Sequence, residues 1–436
     1  SKARSYIISV LERGIHVGEL RIDEVRSGRT HVYGKRTNKK NAVVISVLDD
    51  RFWTCVFLSS DLGFAEAYML GYIDLPDIQG VLDLWLDNRD TLTHISTPVH
   101  AIYTMFSGLV NHTCGHNLSA AQDNAIAGYD VSNAFFHTML GREMMYSCAL
   151  WGPEEGGISC GGGGGGKGVC KIDEDALDAA QMRKIRHVLD KACVRPGDRL
   201  LEFGTGWGAL AIEAAKTYGA RVDTLTLSQN QKALAELRIE EAGLTDRITV
   251  HLLDYRCLPQ SFHKAFDAFV SIEMVEHTGA AYHKTYFELI DWALKDKRGI
   301  AVISSTTQPE SRYSRYQATD FGRKYIWPKA VLPSATALIT AAHEGTCGRM
   351  TLDSVENVNY PRTLQEWDRR LRGKFDAVIA PHFADSMSEG ELEIFKRKWM
   401  YLCAYARAGF QRGYATNHML TFVRTVRFPV LRTVGL

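Results

Sequence analysis

Residues Leu200–Gly208 read LLEFGTGWG, the pattern of a buried strand, a glycine turn and the start of a helix. Good helix formers occupy the positions that follow, 209–216. Gly204 and Gly206 allow the backbone to approach a ligand closely, and the first turn of the helix presents free N–H groups. Glu202 stands at the carboxyl end of the strand, where open α/β sheets bind their ligands. This stretch therefore predicts a site for a carboxylate or other polar ligand.

The spacing of these glycines is G-x-G-x-G, which differs from the G-x-G-x-x-G of dinucleotide-binding folds. It favours S-adenosylmethionine (SAM) over NAD as the ligand. A purely structural interpretation stays open, in which the glycines only make a tight turn between a core strand and a helix.

Strands and helices alternate on both sides of this turn, with a helix over 176–193 in front of it. Ser388 and Glu391 have the spacing of a capping box before a long tail helix. The later elements are predicted as strands over 220–227, 248–252, 266–272, 299–305 and 418–424, and helices over 231–242, 364–375 and 389–408. The alternation predicts an α/β fold, doubly wound and Rossmann-like, with a mostly parallel sheet.

Residues 1–95 are interpreted as a small N-terminal α+β domain. Val43–Leu48 and Phe52–Leu58 are predicted as strands around a turn, and 61–71 and 76–85 as helices. We expect a linker helix within 96–127 and the catalytic domain over 128–436.

A glycine-rich stretch, 155–170, interrupts the catalytic domain and contains six consecutive glycines at 161–166. It lacks the G-x-x-x-x-G-K-[ST] form, so a phosphate-binding loop is excluded. We interpret it as a flexible surface insertion.

The composition narrows the function classes. The net charge is +1, which gives no case for nucleic acid binding. The nine cysteines are scattered without a C-x-x-C pair, as expected for reduced thiols in a cytoplasmic protein, and we expect no metal site. The sequence has no run of about 18 apolar residues, so we predict no membrane span. Two basic clusters, Lys35–Lys40 and the helix residues Arg369, Arg370, Arg372 and Lys374, are either solvated surface or contacts for lipid headgroups.

Several motifs in combination resemble the cyclopropane-fatty-acyl-phospholipid synthase family, which includes the mycolic acid cyclopropane synthases. These are SAM-dependent methyltransferases that act on acyl-chain double bonds. The resemblance runs from about residue 60 to the C-terminus. Its motifs are Tyr129-Asp130 with Asn133, Tyr146–Ala149, Gln181 with Lys184, Gly204–Gly208, Leu225–Ser228 with Gln231, Glu276-His277, Tyr325-Ile326 with Pro328, and Tyr360 with Trp367.

The resemblance implies a class I SAM-dependent methyltransferase domain and a set of cofactor-site residues. We add Glu202, at the carboxyl end of the first predicted strand, and Asp254, after the third, to the residues that the resemblance implies, namely Tyr146, Gly204, Gly206, Thr226, Leu227, Gln231, Tyr255 and Ile272. The glycines would lie against the methionine half of SAM, the residues after the second strand against the ribose, and Tyr255 against adenine. A core position for Tyr255 is the alternative.

The family also holds a bicarbonate ion that acts as a base, and its ligand positions match Cys148, Glu276 and Tyr360. Ser304 stands where well-studied members carry a histidine, and serine cannot supply the same imidazole donor or proton relay. We keep Ser304 as a catalytic candidate that marks altered base chemistry. The alternatives are a helix-capping role for Glu276, a packed thiol for Cys148 and an ordinary half-buried tyrosine for Tyr360.

The implied chemistry is attack of a cis double bond on the SAM methyl group. The alkene is a poor nucleophile, so the site must align it and exclude water, and the carbocation needs aromatic faces or carboxylates around it. A base then removes a proton and closes the ring, or an open methylated product forms. The aromatic candidates are Tyr129, Phe135, Phe136, Tyr146 and Trp327.

The partners we expect are an unsaturated phospholipid or other lipid substrate, a peripheral membrane surface and a homodimeric partner. Two other functions stay open. One is C- or N-methylation of another small molecule on the same fold, and the other is SAM and lipid binding with reduced catalysis.

Overall fold

The computed structural model describes residues 2–35, 42–92, 131–152 and 176–424. Its strands are β1 (Glu19–Glu24), β2 (Arg29–Gly34), β3 (Val43–Val47), β4 (Ile73–Asp74), β5 (Arg199–Phe203), β6 (Arg221–Thr226), β7 (Ile248–Leu252), β8 (Ala268–Ile272), β9 (Ile300–Thr307), β10 (Met350–Asn357) and β11 (Thr416–Arg424). Its α-helices are α1 (Lys2–Gly14), α2 (Arg51–Met69), α3 (Ile78–Asp87), α4 (Asn133–Leu140), α5 (Ala176–Lys191), α6 (Ala209–Lys216), α7 (Gln229–Glu241), α8 (His283–Ala293), α9 (Phe321–Tyr325), α10 (Ala335–Gly345), α11 (Pro361–Lys374), α12 (Ala380–Phe383) and α13 (Glu389–Gln411).

Seven strands form one sheet in the order β10-β11-β9-β8-β5-β6-β7. The pairings from β9 through β7 are parallel, and β11 runs antiparallel to both of its neighbours. Leu200 packs in a core with residues of α5 and α6, whereas the next residue, Leu201, packs in a second core with residues of α8 and α10. Helices therefore cover both faces of the sheet. The predicted doubly wound, mostly parallel α/β fold is confirmed.

The glycine turn after β5 leaves the sheet at its carboxyl edge. Gly204 has a φ of +95° and Gly206 a φ of +52°, conformations that residues with a Cβ rarely adopt. The backbone N–H groups of Gly204 and Thr205 both donate to the carbonyl oxygen of Leu225, at 3.0 and 2.9 Å. These bonds fix the turn against the end of β6, so the ends of neighbouring parallel strands open on one side.

The described part of the N-terminal domain holds a separate sheet in the order β2-β1-β3-β4. The strand predicted over Phe52–Leu58 is wrong, because these residues lie in α2. Phe52, Trp53 and Val56 are buried, and their spacing suits one face of a helix rather than the alternation of a strand. Their aromatic and β-branched side chains suggested a strand. The helix is broken at Ser60, whose φ is +51°, so the predicted helix over 61–71 is its second half.

Most other predicted elements are present with shifted ends, and the capping box of Ser388 and Glu391 is formed. We did not predict α8, α10 or β10. The predicted linker helix (96–127), the glycine-rich insertion (155–170) and basic residues 36–40 lie outside the described residues. Within the described ranges, no helix combines the length and the apolar character needed to cross a membrane.

The N-terminal domain docks on α13 and on the segment around α9. Arg397 Nη1 donates to the carbonyl oxygens of Tyr68 and Ile73, at 3.1 and 3.2 Å. Glu66 Oε1 accepts a hydrogen bond from the hydroxyl of Tyr325 at 2.8 Å. These contacts hold α2 and α3 beside the carboxyl edge of the large sheet.

We predict that Asp291→Ala lowers the free energy of unfolding by about 3–5 kcal/mol, because it leaves a buried arginine without its counter-ion. Asp291 Oδ1 accepts from Arg424 Nη1 at 2.6 Å and Oδ2 accepts from Arg349 Nε at 3.0 Å, and the Asp291 and Arg424 side chains are 4% and 5% exposed. The control is Asp296→Ala, since Asp296 pairs with Lys264 at the surface, where solvent screening leaves an ion pair little effect on stability. Urea unfolding measures both, and equal losses would contradict the prediction.

Candidate functional site

Two cavities lie at the carboxyl edge of the large sheet and share three wall residues, Tyr146, Glu273 and His277. The first cavity, over the glycine turn, has a volume of about 170 Å³. All ten residues predicted to bind the cofactor line it, namely Tyr146, Glu202, Gly204, Gly206, Thr226, Leu227, Gln231, Asp254, Tyr255 and Ile272. Nine of them come together because they lie at the ends of the parallel strands β5 to β8 or just after them, and these strands end at the same edge. Tyr146 comes from the segment that follows α4.

Two polar side chains of the first cavity, Gln231 and Asp254, are held by neighbouring residues. Gln231 Oε1 accepts from the hydroxyl of Thr226 at 2.8 Å. Asp254 accepts from the backbone N–H, Nε and Nη2 of Arg256 at 2.8, 2.9 and 2.8 Å. Glu202 is 3% exposed, and its Oε2 has no hydrogen-bond partner among the described residues. Burial raises the pKa of the Glu202 carboxyl to about 8.

These residues fit S-adenosylmethionine. The unpartnered oxygen of Glu202 suits the ammonium group of the methionine part. A Cβ at Gly206 would meet no protein atom within 4 Å, so this turn borders open space. Gln231 offers an amide for ribose hydroxyls, and Tyr255 is a buried ring beside the cavity that can pack against adenine.

The segment Tyr146–Cys148 separates the two cavities and is held by α5. Gln181 Nε2 donates to the carbonyl of Ser147 at 2.8 Å, and Lys184 Nζ donates to the Ser147 hydroxyl at 2.6 Å. Lys184 is 1% exposed, and burial lowers its pKa to about 8, although nearby acidic groups, Glu273 first among them, oppose this shift. A buried cation therefore lies behind the segment.

Glu273 is the functional candidate that the sequence analysis missed. Its Oε1 accepts hydrogen bonds from the backbone N–H of Cys148 at 2.8 Å and from Asn417 Nδ2 at 2.9 Å, and its Oε2 accepts from the hydroxyl of Tyr360 at 2.8 Å. Burial raises the pKa of this carboxyl, and the three donors together with Lys184 oppose the shift. The signal was an acidic residue directly after the predicted strand 266–272, at the edge of the sheet where Glu202 was also predicted to lie.

Cys148 and Tyr360 each donate a hydrogen bond to Glu273 from an uncharged group. The Cys148 side chain is 2% exposed, and burial raises the pKa of its thiol, so the thiol is packed and un-ionised. Its contribution to the site is the backbone N–H. Tyr360 is 7% exposed rather than half-buried, and burial raises the pKa of its phenol as well. Its hydroxyl therefore keeps its proton and donates.

Ser304 lies in β9 and lines neither cavity. Its carbonyl accepts from the backbone N–H of Glu273 at 2.8 Å, and its hydroxyl bonds to Asn417 Oδ1 at 3.3 Å. This second bond leaves the amide N–H group of Asn417 for Glu273. Ser304 therefore acts on the site indirectly, by orienting the Asn417 amide.

Glu276 lines the second cavity from the turn Val275–His277. Its Oε1 accepts from the backbone N–H of Thr306 at 2.5 Å, and its Oε2 has no hydrogen-bond partner in the described part of the chain. Burial raises the pKa of Glu276 to about 8, and the neighbouring Glu273 adds to this effect. Glu276 is therefore neutral at pH 7, next to a carboxylate that three donors stabilise.

Bicarbonate does not fit this arrangement. Two of the groups that the resemblance assigned to the ion, at Cys148 and Tyr360, both bind the Glu273 carboxylate. The third, Glu276, is bonded to the backbone of Thr306. A carboxylate of the chain itself thus takes the interactions expected for the ion.

The second cavity has a volume of about 290 Å³ and is lined mainly by apolar and aromatic side chains of both domains. Phe64, Val81 and Leu82 come from the N-terminal domain. Leu364 and Phe410 come from α11 and α13. The cavity therefore suits a long apolar group whose end reaches Glu273.

The predicted aromatic lining is found only in part. Tyr146 and Trp327 line the second cavity, with ring centroids 6.3 Å apart. Phe135 and Phe136 line neither cavity, because α4 directs both rings into the core, where Phe136 packs behind Tyr146 at 5.5 Å. Tyr129 lies outside the described residues.

The basic cluster on α11 is balanced by other residues. Arg369 pairs with Glu366 at 2.7 Å and Arg372 with Asp368 at 2.9 Å, and Arg370 is only 5% exposed. These pairs favour a solvated helix face over a headgroup contact.

We predict that Gly206→Val abolishes SAM binding, because the added side chain projects into the first cavity. Gly243→Val is a matched control: Gly243 also has a positive φ, +68°, and open space at its Cβ, but it does not line the cavity. Calorimetry should find no SAM binding for Gly206→Val and unchanged affinity for Gly243→Val. Equal affinity in both variants would contradict the assignment.

We predict that Glu276→Gln stabilises the protein at alkaline pH. The folded-state pKa of Glu276 is raised from 4.5 to about 8, so the native state binds a proton that the unfolded state has lost between these pH values. The native state therefore loses stability as pH rises through this window, and removing the titration should add about 2–5 kcal/mol at pH 8. The gain disappears near pH 4, where both states are protonated.

Urea unfolding at the two pH values checks this prediction. The exposed Glu344→Gln is the control and should show no such dependence. A gain that is the same at both pH values would argue against a buried neutral Glu276.

The chain was compared with known proteins. The sequence pattern of the family described as mycolic acid cyclopropane synthetase matches residues 116–420. The chain is 30% identical over 367 residues to the tuberculostearic acid methyltransferase UfaA1 of Mycobacterium tuberculosis, covering 83% of this chain and 79% of the relative. It is 29% identical over 366 residues to the cyclopropane-fatty-acyl-phospholipid synthase of Escherichia coli K12, covering 82% and 81%.

Among solved structures, the cyclopropane synthase MmaA2 from Mycobacterium tuberculosis is similar, with a TM-score of 0.57 and 23% identity, covering 70% of this chain and 98% of that one. This likeness concerns the fold, which is that of class I SAM-dependent methyltransferases with a small additional N-terminal domain. On the sequence match over most of its length, the chain belongs to the mycolic acid cyclopropane synthetase family.

Proposed function

We propose that the protein is a SAM-dependent lipid methyltransferase that adds a methyl or methylene group to a cis double bond of an unsaturated acyl chain in a phospholipid. The observation that carries this proposal is the junction of the two cavities. A polar cavity that fits SAM and an apolar cavity that suits an acyl chain share Tyr146, Glu273 and His277 as wall residues.

The second cavity supports a lipid rather than a small polar acceptor. Its walls are mainly apolar and aromatic, and the acidic groups that border it include Glu273 and Glu276 near the junction. An acyl chain gains by burial in such a cavity, at roughly 0.8 kcal/mol for each CH₂ group. Both curated relatives reported above carry lipid-modifying activities in their names.

The side chains at the junction suit a reaction with a carbocation intermediate. When bound, SAM supplies an electrophilic methyl group. Tyr146 and Trp367, with ring centroids 5.3 Å apart, offer aromatic faces that stabilise a cation on the acyl chain. The Glu273 carboxylate adds a negative charge at the same place. In this proposal Cys148, Tyr360 and Ser304 position Glu273, and Glu276 is its neutral neighbour.

We further propose the domain division 1–95, 96–127 and 128–436, and a peripheral position on the bilayer that holds the substrate. The second cavity supports this domain division, because Phe64, Val81 and Leu82 of the first domain form part of its wall and residues of the catalytic domain form the rest. A phospholipid must leave the bilayer in part to reach a cavity between domains.

We predict turnover of SAM with vesicles of dioleoyl phosphatidylglycerol and dioleoyl phosphatidylethanolamine, giving lipids heavier by one CH₂ unit. Gly409→Leu should lower this turnover about a hundredfold, because a side chain there enters the open space of the second cavity and displaces the chain. Mass spectrometry of the lipids and calorimetry with SAM measure the two steps separately. SAM affinity should stay unchanged.

Gly390→Leu is the matched control, since Gly390 lies in the first turn of the same helix, is exposed and also has open space at its Cβ. It should leave turnover unchanged. Equal turnover with vesicles of saturated lipids, or methylation of a water-soluble amine alone, would replace the proposal with the small-molecule alternative.

A further inference from the structure

The side chain of Glu273 is held as a bound anion would be held. Its two oxygens accept hydrogen bonds from three segments: Cys148 before α5, Tyr360 at the start of α11 and Asn417 in β11. We call these three donor groups the anion cradle. The buried cation of Lys184 adds a favourable charge behind it.

The backbone of Glu273 shows that this placement has a cost. Its φ is +49°, a conformation that costs a non-glycine residue roughly 1–2 kcal/mol. The strain is offset by the contacts of the carboxylate and by the bond from its backbone N–H to the Ser304 carbonyl at 2.8 Å. Strained residues of this kind cluster at functional sites, where the surrounding structure enforces them.

The Glu273 carboxylate retains capacity for a proton. A carboxylate offers about four lone-pair sites. The two oxygens use three of them, two on Oε1 and one on Oε2. The remaining site is on Oε2, and the residue borders both cavities. Glu276 is neutral, so it does not compete as a base at neutral pH.

Resting on the proposed lipid methylation, we propose that Glu273 is the built-in general base of the reaction and fills the anion cradle that an exchangeable bicarbonate would otherwise occupy. The carbocation that forms on the acyl chain after methyl transfer loses a proton to Glu273 Oε2. The electron pair of the broken C–H bond goes to the cationic carbon. If the proton comes from the new methyl group, this electron pair forms the bond that closes a three-membered ring. If the proton comes from a neighbouring chain carbon, the electron pair forms the second bond of an alkene. The Glu273 acid then returns the proton to solvent, so charge and atoms balance.

Two substitutions distinguish the role of Glu273 as a proton acceptor from its role in filling the anion cradle. Glu273→Gly empties the cradle and keeps its donors, and glycine adopts a positive φ without strain, so this variant should fold. Glu273→Gln fills the cradle with a group that cannot accept the proton. Both should lose about a hundredfold or more in turnover on dioleoyl phosphatidylglycerol vesicles.

Bicarbonate is the probe that decides the assignment. In buffer freed of carbon dioxide, the parent protein should keep full turnover, and added bicarbonate should change it less than about twofold. Added bicarbonate should restore at least about tenfold to Glu273→Gly and nothing to Glu273→Gln, and chloride should restore neither. Calorimetry gives a readout apart from activity: bicarbonate should bind to Glu273→Gly and not to the other two proteins.

The results that would contradict the base role of Glu273 differ from those that would contradict the proposed lipid substrate. Bicarbonate binding to the parent, turnover that requires bicarbonate in the parent, full activity of Glu273→Gln, or no bicarbonate binding by a folded Glu273→Gly would each overturn it. SAM calorimetry on all three proteins reports on folding and on the first cavity. If the parent binds SAM and turns over no unsaturated lipid, the proposed substrate is wrong, and the bicarbonate titrations still decide what fills the cradle.

Discussion

The hydrogen bonds to the Glu273 carboxylate are the constraint on which the arrangement of the site depends. A carboxylate buried without partners costs several kcal/mol, so these bonds are needed wherever the Glu273 side chain is present. The donors lie 125, 87 and 144 residues away in sequence, at Cys148, Tyr360 and Asn417. Satisfying one side chain therefore fixes three distant segments against the end of β8, and residues of those segments, Tyr146 and Tyr360, line the cavities.

The reversed strand β11 explains how a residue near the end of the chain reaches this site. β11 is antiparallel to β9, and Asn417 pairs in register with Thr306. The amino-terminal end of β11 thus lies at the edge where the parallel strands end. A parallel strand in the same place would bring its carboxyl end to this edge. The Asn417 amide, oriented by Ser304, consequently stands where its N–H group can reach Glu273.

Much of this arrangement could be predicted from sequence, because parts of it follow local rules. The glycine turn after Phe203 and the residues that follow strands β6 to β8 meet at one edge in any parallel sheet of this kind. For this reason nine of the ten predicted cofactor residues line one cavity, and the tenth, Tyr146, reaches it from the segment after α4. The position of Glu273 directly after a predicted strand could mark it as a candidate, but its partners could not be predicted, because they lie far apart from it in sequence. The wrong strand over Phe52–Leu58 has a local cause, since aromatic and β-branched composition outweighed a spacing typical of helices.

The second cavity lies at a seam between two domains, whereas the Glu273 cluster lies wholly within the larger one. In the proposed function, the first domain thus contributes only to the space for the acyl chain, whereas the reacting groups all belong to the larger domain. Substitutions at Val81 or Leu82 can change the shape of the apolar wall without altering Glu273 or the glycine turn, since neither residue lines the first cavity. Diversification of lipid preference in such a protein can proceed by repacking the seam, while the reacting groups stay unchanged.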